Sequence, residues 1–216
     1  MSDIEPMTPA TFLDLMSVSR ETLKKLEIYV EQLGKWQRAI NLVGKNTLHD
    51  PWRRHILDSA QLWRLLPEPP RPIVDLGSGA GFPGLVLSIL GAPDVTLCES
   101  DARKCVFLRE VVRLTGASAV VREGRIETLT SPKVGIVTAR ALASLCTLLS
   151  FAAPILAQDG ICLFLKGRGV DEELTQAGKG WNMRVEVFAS LSDSADKILR
   201  LGEISRARPD GSRDTG

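Results

Sequence analysis

Residues 73–85 read IVDLGSGAGFPGL, and the rest of the chain is organised around this stretch. Ile73 and Val74 open a short apolar strand and Asp75 stands near its end. Gly77, Gly79 and Gly81 make a turn, and a helix follows. Pro83 suits the first turn of that helix, because the N–H it lacks would have no intrahelical partner there. Glycines let the backbone turn sharply and approach a ligand, and a helix N-terminus behind them favours negative charge.

Two glycine registers overlap. Gly79, Gly81 and Gly84 satisfy G-x-G-x-x-G, the dinucleotide fingerprint. Asp75, Gly77, Gly79 and Gly81 satisfy D-x-G-x-G-x-G, the nucleotide-end loop of S-adenosylmethionine (AdoMet) enzymes. The first register inserts Asp75–Ser78 between strand and turn and places Pro83 inside the motif. The second puts the turn directly after the strand. The next apolar run, Val95–Cys98, closes on Glu99, 22 positions after Gly77. A strand-end carboxylate at about that spacing meets a ribose diol. AdoMet and NAD both carry one, so Glu99 does not choose between them.

Around this centre strands alternate with helices. Helix is expected over 83–91, 101–115, 145–156 and 171–180. Strand is expected over 73–75, 95–99, 119–122, 134–139, 161–165, 183–190 and 197–204. Such alternation predicts an α/β fold with a parallel sheet covered on both faces, and the last two strands suggest an antiparallel hairpin at one edge. Ligands in such sheets sit at the carboxyl ends of the strands. The expected rim collects Asp75–Phe82, Glu99–Asp101, Gly124–Glu127, Arg140 and Lys166–Gly169.

Before the sheet, Ser19 caps a helix whose stripe Leu23, Leu26, Val30 and Leu33 runs to about Leu42. Asp50 caps a second helix, with Pro51 at its first position, ending near Leu66. Pro67–Pro72 holds four prolines in six residues and reads as a stiff connector. The expected organisation is a helical extension over 1–66, a connector over 67–72, a sheet domain over 73–205 and a disordered tail over 206–216.

The formal net charge of +1 across 216 residues argues against a generally basic coat protein. It conceals segregation: residues 35–64 carry six basic and two acidic side chains, residues 1–34 three basic and six acidic. Trp36, His49, Trp52 and His55 are interleaved with the basic window, a composition that suits RNA contacts or a solvated helix face. No apolar run approaches the roughly 18 residues that span a membrane, and the N-terminus lacks the pattern of a secretion signal. Cys98, Cys105, Cys146 and Cys162 form no C-x-x-C, so buried thiols in a reducing cytoplasm are expected, with no metal.

The pieces NLVGKN (41–46), RRHILDS (53–59), DLGSGAGFPG (75–84), ESDARKCVFLREV (99–111), GRIETL (124–129), TARALASL (138–145) and LFLKGR (163–168) run in order along the chain. Together they resemble the bacterial 16S ribosomal RNA guanine-N7 methyltransferase G family, also called glucose-inhibited division protein B. The resemblance implies a class I AdoMet-dependent methyltransferase (Rossmann-like) sheet with a helical N-terminal extension. It implies methyl transfer to N7 of a guanine in 16S ribosomal RNA, in the small subunit or its precursor. It also implies AdoMet contacts at Gly77, Phe82, Ile126, Glu127 and Arg140, to which the glycine and strand-end motifs add Gly79 and Glu99.

Arg140 is the candidate catalytic residue, holding the methionine carboxylate or the guanine O6. Lys45, Arg53, Arg54, His55, Lys166 and Arg168 are expected to meet RNA, and a monomer is expected. Gly135 departs from the family pattern F-D-x-V-x-x-R, where an acid is usual. The rival readings are a methyltransferase of a small molecule or protein, a nicotinamide oxidoreductase, and a non-catalytic ribosome-assembly binder.

Overall fold

A computed structural model describes residues 5–129 and 133–207. Its seven strands are β1 (Ile73–Leu76), β2 (Val95–Glu99), β3 (Ala119–Glu123), β4 (Val134–Arg140), β5 (Leu156–Lys166), β6 (Trp181–Ala189) and β7 (Lys197–Arg206). They form one sheet in the order β3-β2-β1-β4-β5-β7-β6. β3 to β5 pair parallel, whereas β7 pairs antiparallel with both β5 and β6. The chain reverses direction of travel across the sheet at β1, whose neighbours are β2 and β4. Side chains at the carboxyl ends of these strands therefore converge on one crevice.

The helices are α1 (Pro9–Met16), α2 (Arg20–Trp36), α3 (Asp58–Ala60), α4 (Gly84–Leu90), α5 (Ala102–Thr115), α6 (Leu145–Ala152) and α7 (Val170–Ala177). α3 is the middle of one continuous helical stretch. A wide π turn over Trp52–Leu57 precedes it and a tight 3₁₀ turn over Gln61–Leu65 follows. Asp50 starts this stretch as expected, its Oδ1 accepting from Arg53 N (3.1 Å).

Some expected boundaries move. α2 ends at Trp36 rather than Leu42, because the Gln37 side chain organises the following loop. Its Oε1 accepts from Leu42 N and Val43 N (both 3.0 Å) and its Nε2 donates to Val43 O (2.9 Å). α6 ends at Ala152 rather than 156: Ala153 keeps helical backbone and donates to Leu149 O (3.0 Å), but Pro154 has no N–H to carry the ladder further. β5 consequently starts at Leu156, five residues before the expected 161. α1 was not expected; Thr8, whose hydroxyl accepts from Thr11 N, and Pro9 start it. β7 runs to Arg206, and residues 208–216 of the expected disordered tail lie outside the described residues.

Leu26, Tyr29 and Leu33 of α2 and Ile56 and Leu57 of the 52–65 stretch are buried with Leu85, Phe107 and Leu108 of α4 and α5 in one apolar cluster. The segment before the Pro-rich connector thus covers one face of the sheet domain. α6 and α7 cover the other face, with Leu145, Leu149 and Ala177 buried against Val137, Cys162 and Phe164.

Gly135 has a local explanation. A Cβ there would lie 2.5 Å from Arg71 Cβ and 2.7 Å from its Cδ. The Arg71 stem occupies the space of the missing side chain, and its guanidinium pairs with Asp159 (2.7 Å).

Candidate active site

At the carboxyl ends of β1, β2, β4 and β5 lies a cleft of about 1120 Å³. Gly77, Gly79, Phe82, Glu99, Ile126, Glu127 and Arg140, the expected cofactor positions, all line it.

The floor is the turn after β1. Gly77, Gly79 and Gly81 have φ of +60°, +58° and +97°, left-handed backbone that favours glycine. At Gly81 a Cβ would also stand 2.6 Å from Tyr29 Oη. The Tyr29 hydroxyl, fully buried, donates to Ala80 O, so α2 grips the turn directly.

Under the turn sits Asp75, with no exposed surface. Its Oδ1 accepts from Thr138 Oγ1 (2.7 Å). Its Oδ2 has no hydrogen-bond partner, although the Gly84 N–H lies near enough to favour charge there. Burial dominates and pushes the carboxyl up to about 6, against the pull of Thr138, Ser78, Gly84 and Arg140.

Glu99 forms one wall. Its Oε2 accepts from Gly79 N, and its Oε1 from Ser100 N and Asp101 N (all 2.8 Å). A carboxylate offers about four acceptor positions, so one position remains for a ligand.

Arg140 and its surroundings form the opposite wall. Nη1 donates to Arg54 O and to Asp58 Oδ2 (both 3.1 Å), and Nη2 donates to His55 Nδ1 (3.1 Å). The guanidinium lies 4.6 Å from the centroid of the Phe82 ring. Phe82 also stacks with the Tyr29 ring (5.2 Å) and with the His55 ring (5.0 Å). Three of the guanidinium's five N–H donors are engaged within the protein, which leaves two for a ligand.

The RNA candidates divide. His55 is 5% exposed, stacked on Phe82 and bonded to Arg140, which sets it in the wall of the cleft. Burial first, then the Arg140 and Arg54 charges, push its imidazole down to about 3. Arg53 pairs with Asp50 (3.0 Å), donates to Glu5 O and does not line the cleft. Lys166 lines the cleft but pairs with Glu173 (2.7 Å). Arg54 lines it and pairs with Asp193 (2.7 Å) at the β6–β7 turn. Lys45 and Arg168 are exposed, and no ion pair engages either among the described residues.

Sequence reasoning missed Tyr29 and Asp58. Asp58 accepts from Arg140 at Oδ2 and from Ser192 Oγ (2.6 Å) at Oδ1, joining β4 to the β6–β7 turn. Its place within RHILDS was the available signal. Tyr29 had a fainter one, its place on the α2 stripe between Leu26 and Leu33.

The cleft suits a nucleoside that also carries a carboxylate. It offers left-handed glycines that keep side chains clear, a strand-end carboxylate with one free acceptor position, and an aromatic ring under a guanidinium with two free donors. Cys98, which also lines it, is no nucleophile near neutrality: burial and then the Asp75 charge push its thiol up to about 12. Among the described residues no three His, Cys, Asp or Glu side chains group as a metal site, and no helix is long and apolar enough to cross a membrane.

Residues 22–199 match the protein family described as rRNA small subunit methyltransferase G. The ribosomal RNA small subunit methyltransferase G of Rhodospirillum rubrum is 57% identical over 201 residues, covering 93% of this chain and all of that protein (100%). Its counterpart in Paramagnetospirillum magneticum is 53% identical over 202 residues, covering 94% and 98%. In fold, the chain is similar to a SAM-dependent methyltransferase from Aquifex aeolicus, with a TM-score of 0.56 at 16% identity over 72% of this chain and 95% of that one.

Proposed function

The chain belongs to the ribosomal RNA small subunit methyltransferase G family, AdoMet-dependent methyltransferases of small-subunit ribosomal RNA, and from that premise we propose that its acceptor is N7 of a guanine in 16S ribosomal RNA. The supporting observation is the make-up of the cleft around Arg140. AdoMet supplies an electrophilic methyl group on a sulfonium. N7 of neutral guanine already presents a lone pair, so no base has to remove a proton. The cleft fits that economy. His55 has both ring nitrogens committed, to Arg140 and to Thr47, and the Cys98 thiol stays protonated.

What the residues contribute is position. Glu99 takes one ribose hydroxyl at its free acceptor position, and the turn over Gly77–Ala80 shapes the floor. The two uncommitted N–H groups of Arg140 hold the methionine carboxylate or the guanine O6. The base is unpaired or extruded before it enters. Lys45 and Arg168, with no ion-pair partner among the described residues, meet RNA phosphates at the rim, and Arg54 joins them if the Asp193 pair opens. We place the protein in the cytoplasm, acting as a monomer on the small subunit or its precursor.

The test is incubation with methyl-labelled AdoMet and small ribosomal subunits that lack the modification, followed by mapping of the labelled base. Label at N7 of one guanine supports the proposal. Label on another atom or base, or on protein, defeats it.

A further inference from the structure

The geometry points to His55 as a positioning residue that couples the Gly44–Thr47 turn to the Arg140 guanidinium. This rests on the methyltransferase reading above for its consequence, though not for its geometry.

Arginine carries only donors, so the contact between Arg140 Nη2 and His55 Nδ1 (3.1 Å) fixes Nδ1 as an acceptor. The ring proton then sits on Nε2, which donates to Thr47 Oγ1 (2.8 Å). The Thr47 hydroxyl donates in turn to Gly44 O (2.6 Å). The bonds form one directed relay, Arg140 to His55 to Thr47 to Gly44. Every group in it has its role assigned, and reversing any member breaks a bond.

Both ends of the relay matter. Gly44 and Thr47 line the cleft, and Lys45 projects from the turn between them with no ion-pair partner among the described residues. At the other end, His55 stacks on Phe82 (5.0 Å) and holds Arg140 over the same ring (4.6 Å). The groups facing His55 are Arg140 at Nδ1, the neighbouring Arg54, and Asp58 on the far side of Arg140. When RNA seats on the Lys45 turn, the position of Thr47 is transmitted through the imidazole to the guanidinium that aligns the reactants.

Two measurements test this. The chain has two histidines, His49 and His55, so His49→Gln assigns their nitrogen resonances in histidine-labelled protein. His55 should show the Nε2–H tautomer, unchanged from about pH 5 to 8. Thr47→Val should shift its Nε2 resonance, and Arg140→Lys its Nδ1. An Nδ1–H tautomer, or titration within that range, overturns the relay.

The second measurement is single-turnover methyl transfer with RNA and AdoMet saturating. Thr47→Val should lower the rate about ten- to a hundredfold, with AdoMet affinity and melting temperature near wild type, and Thr47→Ser should recover most of it. His55→Asn, whose amide oxygen replaces Nδ1 but reaches no further, should behave like Thr47→Val and serves in its place if that variant is unstable. A Thr47→Val or His55→Asn rate within twofold of wild type overturns the coupling. If wild-type protein methylates no ribosomal RNA, the methyltransferase reading fails instead, while the resonances still decide the relay.

Discussion

Replacing Asp75 by Asn should change how stability depends on pH. Asp75 is fully buried, one carboxylate oxygen lacks a partner, and burial raises its pKa from 3.8 to about 6. Near pH 7 both folded and unfolded chains carry the charge, and the folded state bears the full penalty of burying it. As pH falls through about 6 the folded state takes up the proton first, and the penalty is relieved. The gain is complete below the unfolded value near 3.8. The difference between 3.8 and about 6 corresponds to about 3 kcal/mol. Asp101, Asp159 and Asp193 have depressed values, held down by backbone N–H groups or by Arg71 and Arg54, and so lose stability over the acid range. They do so equally in both proteins. The observable is therefore the difference between wild type and Asp75→Asn, from urea unfolding without ligand at several pH values. Wild type should gain on the variant by about 2.4 kcal/mol between pH 7 and pH 4, the remainder coming only below pH 3.8. A constant difference, or one moving the other way, would refute the buried-charge reasoning.

Tyr29→Phe removes the donor to Ala80 O and should destabilise the fold by about 1–3 kcal/mol, with weaker AdoMet binding by calorimetry because the glycine turn loosens. Glu99→Gln keeps the size of the side chain but weakens its charge-assisted bonds; AdoMet affinity should fall roughly tenfold or more, and affinity within twofold of wild type counts against the ribose assignment. Arg140→Ala should nearly abolish methyl transfer and Arg140→Lys restore it only partly, since the planar fork is lost; single-turnover rates should be flat from about pH 7 to 9, and a tenfold rise per pH unit would reveal a base. Changing Lys45 and Arg168 to Gln should lower the slope of log RNA affinity against log salt by up to about 0.7 per residue, whereas Arg53→Gln, whose partner is Asp50, should leave that slope unchanged and cost stability.

The centre of the fold was legible because its signals are local. Strand, glycine turn and helix follow one another within Ile73–Leu90, and Glu99 closes the next apolar run. The antiparallel edge showed in two strands with no helix between them. The RNA surface was harder to read, because counting charges over 35–64 says nothing about where their partners lie. Asp50 stands three residues before Arg53, a spacing that brings two side chains together on a helix. Asp193 is 139 residues from Arg54, and only the folded sheet brings them together. His55 in a run of basic residues looks like a surface group. Its burial depends on Phe82 and Arg140, which arrive from two different strand ends. The helix boundaries that moved were set by a glutamine side chain and by a proline two residues ahead, both visible in the sequence and both outweighed by the apolar stripe.

The bond from Tyr29 to Ala80 limits how this protein can be cut or recombined. α2 looks like a detachable handle, joined through a stiff proline spacer to a self-sufficient catalytic module. Yet the phenol sits over Gly81, where even a methyl group would collide with it, and it anchors the backbone that shapes the floor of the cleft. A chimera carrying another helix in this place would have to supply a phenol at the same height above the turn. A version trimmed to begin at the spacer would leave that backbone carbonyl bare and the floor unsupported. The part of the chain that leaves the ribosome first is thus a wall of the site that the later part completes.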